Sequence, residues 1–126
     1  MVSRLSKLHS EYQKLLHKFY SLYVAPSSAP VAVAASMVNS SGFTLTWSDP
    51  PPEDHNGIIR QYAIHITELI TGLEYTLTSV EIQTSVYFLH PFYNYTIAVS
   101  AVTNQPGQFS IPLNVRTSEH SKILKQ

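Results

Sequence analysis

The feature that most constrains this chain is an alternation of apolar and polar side chains with a period of two, repeated in short runs. In one run Phe43, Leu45 and Trp47 alternate with threonine and serine. A similar run begins at Tyr93, just after Pro91. This period is typical of a strand with one buried face. A proline cannot donate to a β-ladder, so Pro91 is expected to precede its strand. The pattern predicts an all-β domain.

Seven such runs are separated by turn residues, among them Asn56-Gly57 and Thr71-Gly72. The predicted strands cover residues 31–35, 43–48, 61–67, 73–78, 80–88, 93–101 and 111–116. Pro112, at the second position of the last run, predicts an edge strand. Seven short strands without a helical pattern among them predict an antiparallel sandwich of two sheets.

Residues 1–24 follow a different pattern, because apolar side chains recur there at steps of three and four. They are Leu5, Leu8, Tyr12, Leu15, Phe19 and Leu22. This stripe predicts a short amphipathic helix. Basic residues lie off the stripe, with one acidic residue among them: Arg4, Lys7, Lys14 and Lys18 against Glu11. The following VAPSSAP segment is predicted to end the helix and to act as a linker that lets it move.

The expected organisation is therefore a helix with its linker in residues 1–28, a sandwich domain in residues 29–118 and a polar tail in residues 119–126.

The sequence has no cysteine, which excludes a disulfide, a thiolate zinc site and a cysteine nucleophile. No apolar stretch has the length of a membrane span or the character of a secretory signal. The sandwich region has six acidic residues against two arginines, so a nucleic-acid partner is not expected.

One loop concentrates titratable side chains, in the sequence DPPPEDH. They are Asp49, Glu53, Asp54 and His55. Several carboxylates in one loop raise the possibility of a Ca²⁺ site or an acid/base pair. The three prolines and Asn56-Gly57 account for the same residues as a solvated turn. His65 and His90 lie far apart in sequence, without a nucleophile motif or a cofactor fingerprint. The chain is predicted to have no catalytic residue, metal, cofactor or small-molecule substrate.

Several motifs match a known family in order and spacing. Trp47 ends the second strand and precedes Pro50, Asn56-Gly57 leads into Ile59 and Tyr62, and Leu89, Pro91 and Tyr95 surround the start of the sixth strand. With these motifs, residues 30–117 resemble a fibronectin type III domain, an immunoglobulin-like sandwich. The resemblance implies that Tyr95 forms the tyrosine corner, its hydroxyl bonded to the preceding backbone. It also implies that Trp47, Tyr62 and Leu89 belong to the core.

The resemblance implies a non-catalytic protein–protein interaction or adhesion module, located extracellularly or at the cell surface. An intracellular structural or cytoskeletal module in the cytoplasm is the alternative. In a third interpretation, the helix binds a membrane surface or a partner, and membrane contact is expected only through residues 1–24.

Partner binding is expected at an exposed sheet edge or at two loops. The loop residues are Asp49, Glu53, Asp54, His55, Asn56, Asn104, Gln105 and Gly107. N-glycosylation at the sequons of Asn39 and Asn94 would favour the extracellular location.

Overall fold

The computed structural model describes the backbone of residues 2–119 and the side chains of residues 4–16 and 24–119. The polar tail predicted for residues 119–126 lies outside these residues except for Glu119, and so do the side chains of Phe19 and Leu22. The elements are α1 (Val2–Tyr23), β1 (Val31–Ser36), β2 (Phe43–Ser48), β3 (Gln61–Glu68), β4 (Glu74–Ser79), β5 (Gln83–Val86), β6 (Asn94–Val102) and β7 (Leu113–Arg116).

The seven strands form two antiparallel sheets, which confirms the predicted sandwich. One sheet has the order β1-β2-β5 and the other the order β4-β3-β6-β7. The longest ladder pairs β3 with β6, from Gln61 opposite Val102 to Glu68 opposite Tyr95. Among the described residues, no helix is both long and apolar enough to span a membrane.

Two strands are shorter than the alternation predicted, for local reasons. The run expected to start at Val80 forms a strand only from Gln83, because Ser79 bonds to both the N–H and the carbonyl of Glu81 and makes a turn there. The strand ends at Val86, and Phe88 beyond it adopts a φ of 63°, which is not a strand conformation. The last strand begins after Pro112 and lies at a sheet edge, as expected for a chain that lacks this N–H.

The core lies between the sheets and is formed by the apolar positions of the alternating runs. Its buried side chains are Phe43, Leu45, Trp47, Tyr62, Ile64, Ile66, Val86, Leu89, Tyr95, Ile97, Val99, Ala101 and Val115. Trp47 and Tyr62 meet edge to face across the sheets, with ring centroids 5.4 Å apart. The Nε1 atom of Trp47 is buried without a hydrogen-bond partner among the described residues, so Trp47 contributes chiefly through packing.

Strand register sorts the connecting segments into two ends of the sandwich. The linker end contains residues 24–30, the β2–β3 loop (49–60), the β4–β5 turn (80–82) and the β6–β7 segment (103–112). The aromatic end contains the β1–β2 turn (37–42), the β3–β4 turn (69–73), the β5–β6 connection (87–93) and residues 117–119. Chain connectivity requires this division, since β1 runs from the first end to the second and the later strands alternate in direction.

The segment predicted to be a free linker is instead attached to the sandwich. Pro26 is buried, and the N–H of Ser27 donates to the carbonyl of Asp54 at 2.8 Å. The Asn56 side chain donates to the carbonyl of Ala25 at 3.0 Å. Buried apolar surface and paired backbone groups both restrict the segment, so the freedom expected for residues 24–30 is wrong for residues 25–28.

Candidate interaction surfaces

The two loops predicted to bind a partner lie at the same end of the sandwich, where the linker segment contacts both of them. The Ser28 hydroxyl donates to Oδ2 of Asp54 at 2.9 Å, and Thr103 donates to the carbonyl of Val24 at 3.4 Å. Pro26 lies against Gly107 so closely that a Cβ at residue 107 would come within 2.9 Å of the Cβ of Pro26. A side chain at residue 107 would therefore force the linker segment to shift, which favours glycine at this contact.

Other groups of the predicted loops also find partners inside the chain. The Tyr62 hydroxyl donates to Oδ1 of Asp49. Nε2 of His55 lies 2.6 Å from the carbonyl oxygen of Pro50 and donates to it, because a carbonyl only accepts. Within the described part of the chain, no group of three or more histidine, aspartate or glutamate residues is placed to hold a metal ion. Glu53, Asn104 and Gln105 are exposed to solvent.

The opposite end exposes large apolar side chains that sequence reasoning did not single out. Phe88 is 95% exposed and Met37 is 81% exposed. Met37 and Tyr87 line one small pocket, and the rings of Tyr87 and Phe88 pack edge to face with centroids 6.4 Å apart. We call Met37, Tyr87 and Phe88 the apolar patch. The pair Tyr87-Phe88 breaks the alternation of its run, which was the available sequence signal.

Backbone conformation turns parts of the aromatic end outward. Met37, Phe88 and Phe92 adopt φ values of 51°, 63° and 61°. A positive φ is uncommon for residues other than glycine, and for bulky side chains it is an outlier that surrounding structure must maintain. Backbone hydrogen bonds maintain the conformation around Phe88 and Phe92, because Phe92 N–H donates to the carbonyl of Ser118 and Leu89 N–H donates to the carbonyl of Ser41. Bulky residues in this conformation are typical of functional surfaces.

Below this surface, Tyr95 is fully buried and joins a polar network. Its hydroxyl accepts a hydrogen bond from the backbone N–H of His90 at 2.8 Å and donates to Oε2 of Glu68 at 3.1 Å. Glu68 also accepts from Thr71 at 2.7 Å and from Nδ1 of His90 at 3.0 Å. The hydroxyl of Thr117 donates to the carbonyl of His90 at 2.5 Å. The network fixes the path of the β5–β6 connection.

Glu68 is a carboxylate with only 1% of its surface exposed. Burial by itself would raise the pKa of Glu68, but hydrogen bonds from Thr71, His90 and Tyr95 outweigh burial and hold that pKa below its ordinary value. Burial, together with the neighbouring Glu68 carboxylate, raises the pKa of Tyr95 to about 12. At neutral pH the network therefore contains an ionised glutamate and a protonated tyrosine.

Both predicted glycosylation sites are exposed. Asn39 lies in the β1–β2 turn, where its Oδ1 accepts hydrogen bonds from the backbone N–H groups of Ser41 and Gly42, each at 2.9 Å. It also lines the pocket that Met37 and Tyr87 share. Asn94 is the first residue of β6, opposite Arg116 on β7. A glycan on Asn39 would therefore lie beside the apolar patch.

The sheet edges offer a further surface, at the open side between β1 and the segment before β7. A cleft of about 690 Å³ lies there, lined by residues 28–33 and 108–113. Val31 and Ile111 are exposed along it. Ser110 of this segment bonds to β6, where its N–H donates to the carbonyl of Val99 at 2.8 Å and its hydroxyl accepts from the N–H of Val99 at 2.9 Å. Phe109 also lines this cleft, which is largely apolar but lacks the pair of aromatic rings found in the apolar patch.

Comparison with known proteins identifies the family of this domain. The family model described as Fibronectin type III domain matches residues 28–116. Mouse ephrin type-B receptor 3 is 35% identical over 95 residues, which cover 75% of this chain and 9% of the receptor. Rat roundabout homolog 1 is 26% identical over 107 residues, covering 75% of this chain and 6% of that protein. The chain thus spans less than a tenth of the length of these relatives.

Solved structures agree with the sequence relatives. The FN5 domain of Drosophila Lar is 29% identical with a TM-score of 0.61, over 75% of this chain and 98% of that domain. The third fibronectin III domain of the human KIAA0343 protein has a TM-score of 0.70 at 23% identity, over 77% of this chain and 86% of that one. The latter likeness concerns the fold alone. The chain belongs to the fibronectin type III domain family.

Proposed function

We propose that this chain is a non-catalytic protein-interaction module of an extracellular or cell-surface protein, and that it binds a folded protein partner through the apolar patch. The exposed side chain of Phe88 carries this proposal. Exposed apolar clusters on a stable domain mark interaction sites, and aromatic side chains contribute much of the energy at such sites. The similarity to receptor modules supports the class of function and its cell-surface setting.

The linker end is less accessible to a partner, which supports the choice of the apolar patch. Asp54, Asn56 and Gly107 are already in contact with residues 25–28, so a partner at those loops would have to displace part of the chain. At the apolar patch a partner displaces only water. Binding there is favourable because it removes exposed apolar surface from water.

Binding to cells tests the proposal. Fluorescently labelled chain is expected to bind saturably to cells that display the partner, and trypsin treatment of the cells should remove the binding. Phe88→Ser should weaken the affinity at least about tenfold, as expected for a central aromatic contact. Ile58→Ser is the matched control, since Ile58 is an exposed apolar residue of the β2–β3 loop.

The outcomes separate the candidate surfaces. Loss of binding in Glu53→Ala or Gln105→Ala, with Phe88→Ser unaffected, would assign the site to the linker end. Absence of saturable, trypsin-sensitive binding on a panel of cell types would contradict the proposed function. Secretion of the chain with glycans on Asn39 and Asn94 would support the extracellular setting over the cytoskeletal one. Partner binding should then be weaker for protein that carries the Asn39 glycan.

A further inference from the structure

The helix α1 has an exposed apolar stripe that the sandwich does not cover. Within the described side chains, Leu5, Leu8, Tyr12 and Leu15 are between 58% and 66% exposed. Steps of three and four residues place all four on one side of the helix. Leu16 is also exposed and lies beside Leu15, which widens this face beyond a narrow seam. Such a face is stable in water only when something apolar covers it.

Outside the stripe, the described surface of the helix is basic. Three basic side chains, Arg4, Lys7 and Lys14, and one acidic side chain, Glu11, are exposed in the described part of the helix. None of the three basic residues lies on the apolar stripe. A helix with a broad apolar face and cationic flanks is complementary to the boundary between acyl chains and anionic headgroups. Each lysine or arginine near an anionic surface adds to the attraction.

The charge pattern also argues against a second copy of the chain as the surface that covers the stripe. If the stripe occupied the a and d positions of a coiled coil, Arg4 and Glu11 would take g positions and His9 and Leu16 would take e positions. In a parallel pair, Glu11 would face Leu16 and Arg4 would face His9. Neither is a pair of opposite charges at neutral pH. The interhelical salt bridges that select a coiled-coil partner are therefore missing between these positions.

We propose that α1 binds the surface of an anionic lipid bilayer, with its axis in the plane of the interface and the stripe containing Leu5, Leu8, Tyr12 and Leu15 facing the acyl chains. This activity is separate from partner binding at the apolar patch. It gives the domain a second attachment, to a membrane surface, at the side of the chain where the linker segment is fixed to the sandwich.

Vesicle co-sedimentation of the full chain tests this proposal. The chain is expected to bind phosphatidylcholine vesicles that contain phosphatidylserine at least about tenfold more tightly than vesicles of phosphatidylcholine alone, and added salt should reduce the difference. Leu8→Ser should remove most of the binding. Ile58→Ser is the matched control for apolar truncation, because Ile58 is exposed on the sandwich, and it should leave vesicle binding unchanged.

Charge needs its own control. The double variant Lys7→Glu, Lys14→Glu should lose the preference for phosphatidylserine, whereas Arg60→Glu, at an exposed position of the sandwich, should retain it. Unchanged fluorescence of the buried Trp47 in every variant would show that the sandwich is folded. Phe88→Ser should still bind vesicles, which separates this proposal from that of partner binding.

Three results would overturn the proposal. The first is equal binding to vesicles with and without phosphatidylserine, and the second is vesicle binding that survives Leu8→Ser. The third is a dimer in sedimentation velocity that Leu8→Ser converts to a monomer, in the absence of vesicle binding. This third result would assign the stripe to another copy of the chain.

Discussion

The two ends of the sandwich differ in which side chains are paired within the chain and which are exposed to solvent. At the linker end, polar loop groups are paired with the chain itself, as when Asp54 accepts hydrogen bonds from Ser27 and Ser28. At the aromatic end, the polar groups are buried below the surface around Glu68, while Met37 and Phe88 remain outside. The charged β2–β3 loop is thus less available to a partner than the β5–β6 connection, where aromatic residues adopt a positive φ.

The largest effect is expected at the core beneath the linker end. Trp47→Ala should lower the free energy of unfolding by about 3 to 5 kcal/mol, because it opens a cavity beside Tyr62 between the sheets. Urea denaturation monitored by circular dichroism measures the change. Phe88→Ala is the control at the other end and should change stability little, since Phe88 is exposed. Comparable losses in the two variants would mean that the two aromatic residues do not differ in burial as described.

The next effect concerns the carboxylate beneath the aromatic end. Glu68→Ala should cost about 2 to 3 kcal/mol, because the buried Tyr95 hydroxyl and its neighbours lose a charged acceptor. Glu68→Gln keeps an oxygen acceptor and should cost less. The folded-state pKa of Glu68 lies below its unfolded value of about 4.3. Its contribution is therefore present above that unfolded value and is lost as pH falls through the folded one.

Acid titration of the unfolding free energy checks the sign. The wild-type chain should lose more stability than Glu68→Gln as the pH is lowered below about 4.3. Parallel pH profiles for the two proteins would contradict the assignment of a lowered pKa to Glu68.

A smaller loss is expected from removing one hydroxyl in the same network. Tyr95→Phe should cost about 1 to 2 kcal/mol, since the N–H of His90 loses its acceptor while the buried ring stays in place. The pKa of Tyr95 is raised to about 12 in the folded state. Its contribution is thus complete below an unfolded pKa of about 10 and is lost between there and the folded value. Tyr95→Phe should lack this alkaline phase in denaturation at high pH. An unaltered midpoint at neutral pH would count against the tyrosine corner.

The smallest pair of effects separates the helix from the linker segment. Removal of residues 1–23 should change the free energy of unfolding by less than about 0.5 kcal/mol, because the described side chains of the helix are exposed. Removal of residues 1–28 should cost about 1 to 2 kcal/mol, because it also uncovers Gly107 and breaks the bonds to Asp54 and Asn56. Equal stability of the two shortened proteins would show that the linker contacts contribute nothing.

Period-two patterns in the sequence predicted most of the strands of the fold. The alternation located β2, β3 and β6, because each has one face against the core. The same period also contained a signal for Glu68, which follows Tyr62, Ile64 and Ile66 on the buried face of β3. Its burial depends on hydrogen bonds from nearby Thr71 and from His90 and Tyr95, which are distant in sequence. The pattern therefore places the residue on that face without explaining why a carboxylate is tolerated there.

The surfaces were harder to predict than the strands. Contacts such as those of Asn56 with Ala25 and of Pro26 with Gly107 join segments far apart in sequence, and no local pattern encodes them. The conformation of Phe88 is likewise a product of tertiary structure, since aromatic residues have no preference for a positive φ. The strand predicted from the local residue pattern over Val80–Phe88 was therefore too long.

The attached linker segment has a mechanical consequence. Tension applied to the chain ahead of residue 24 would load the bonds from Ala25 and Ser27 to the β2–β3 loop before it reached the β1–β2 ladder. Rupture of these few contacts would release residues 24–28, an extension of at most about 18 Å for five residues. The sandwich itself would remain paired. A pull from the side of α1 would thus be absorbed first by a short, re-formable extension rather than by unfolding of the domain.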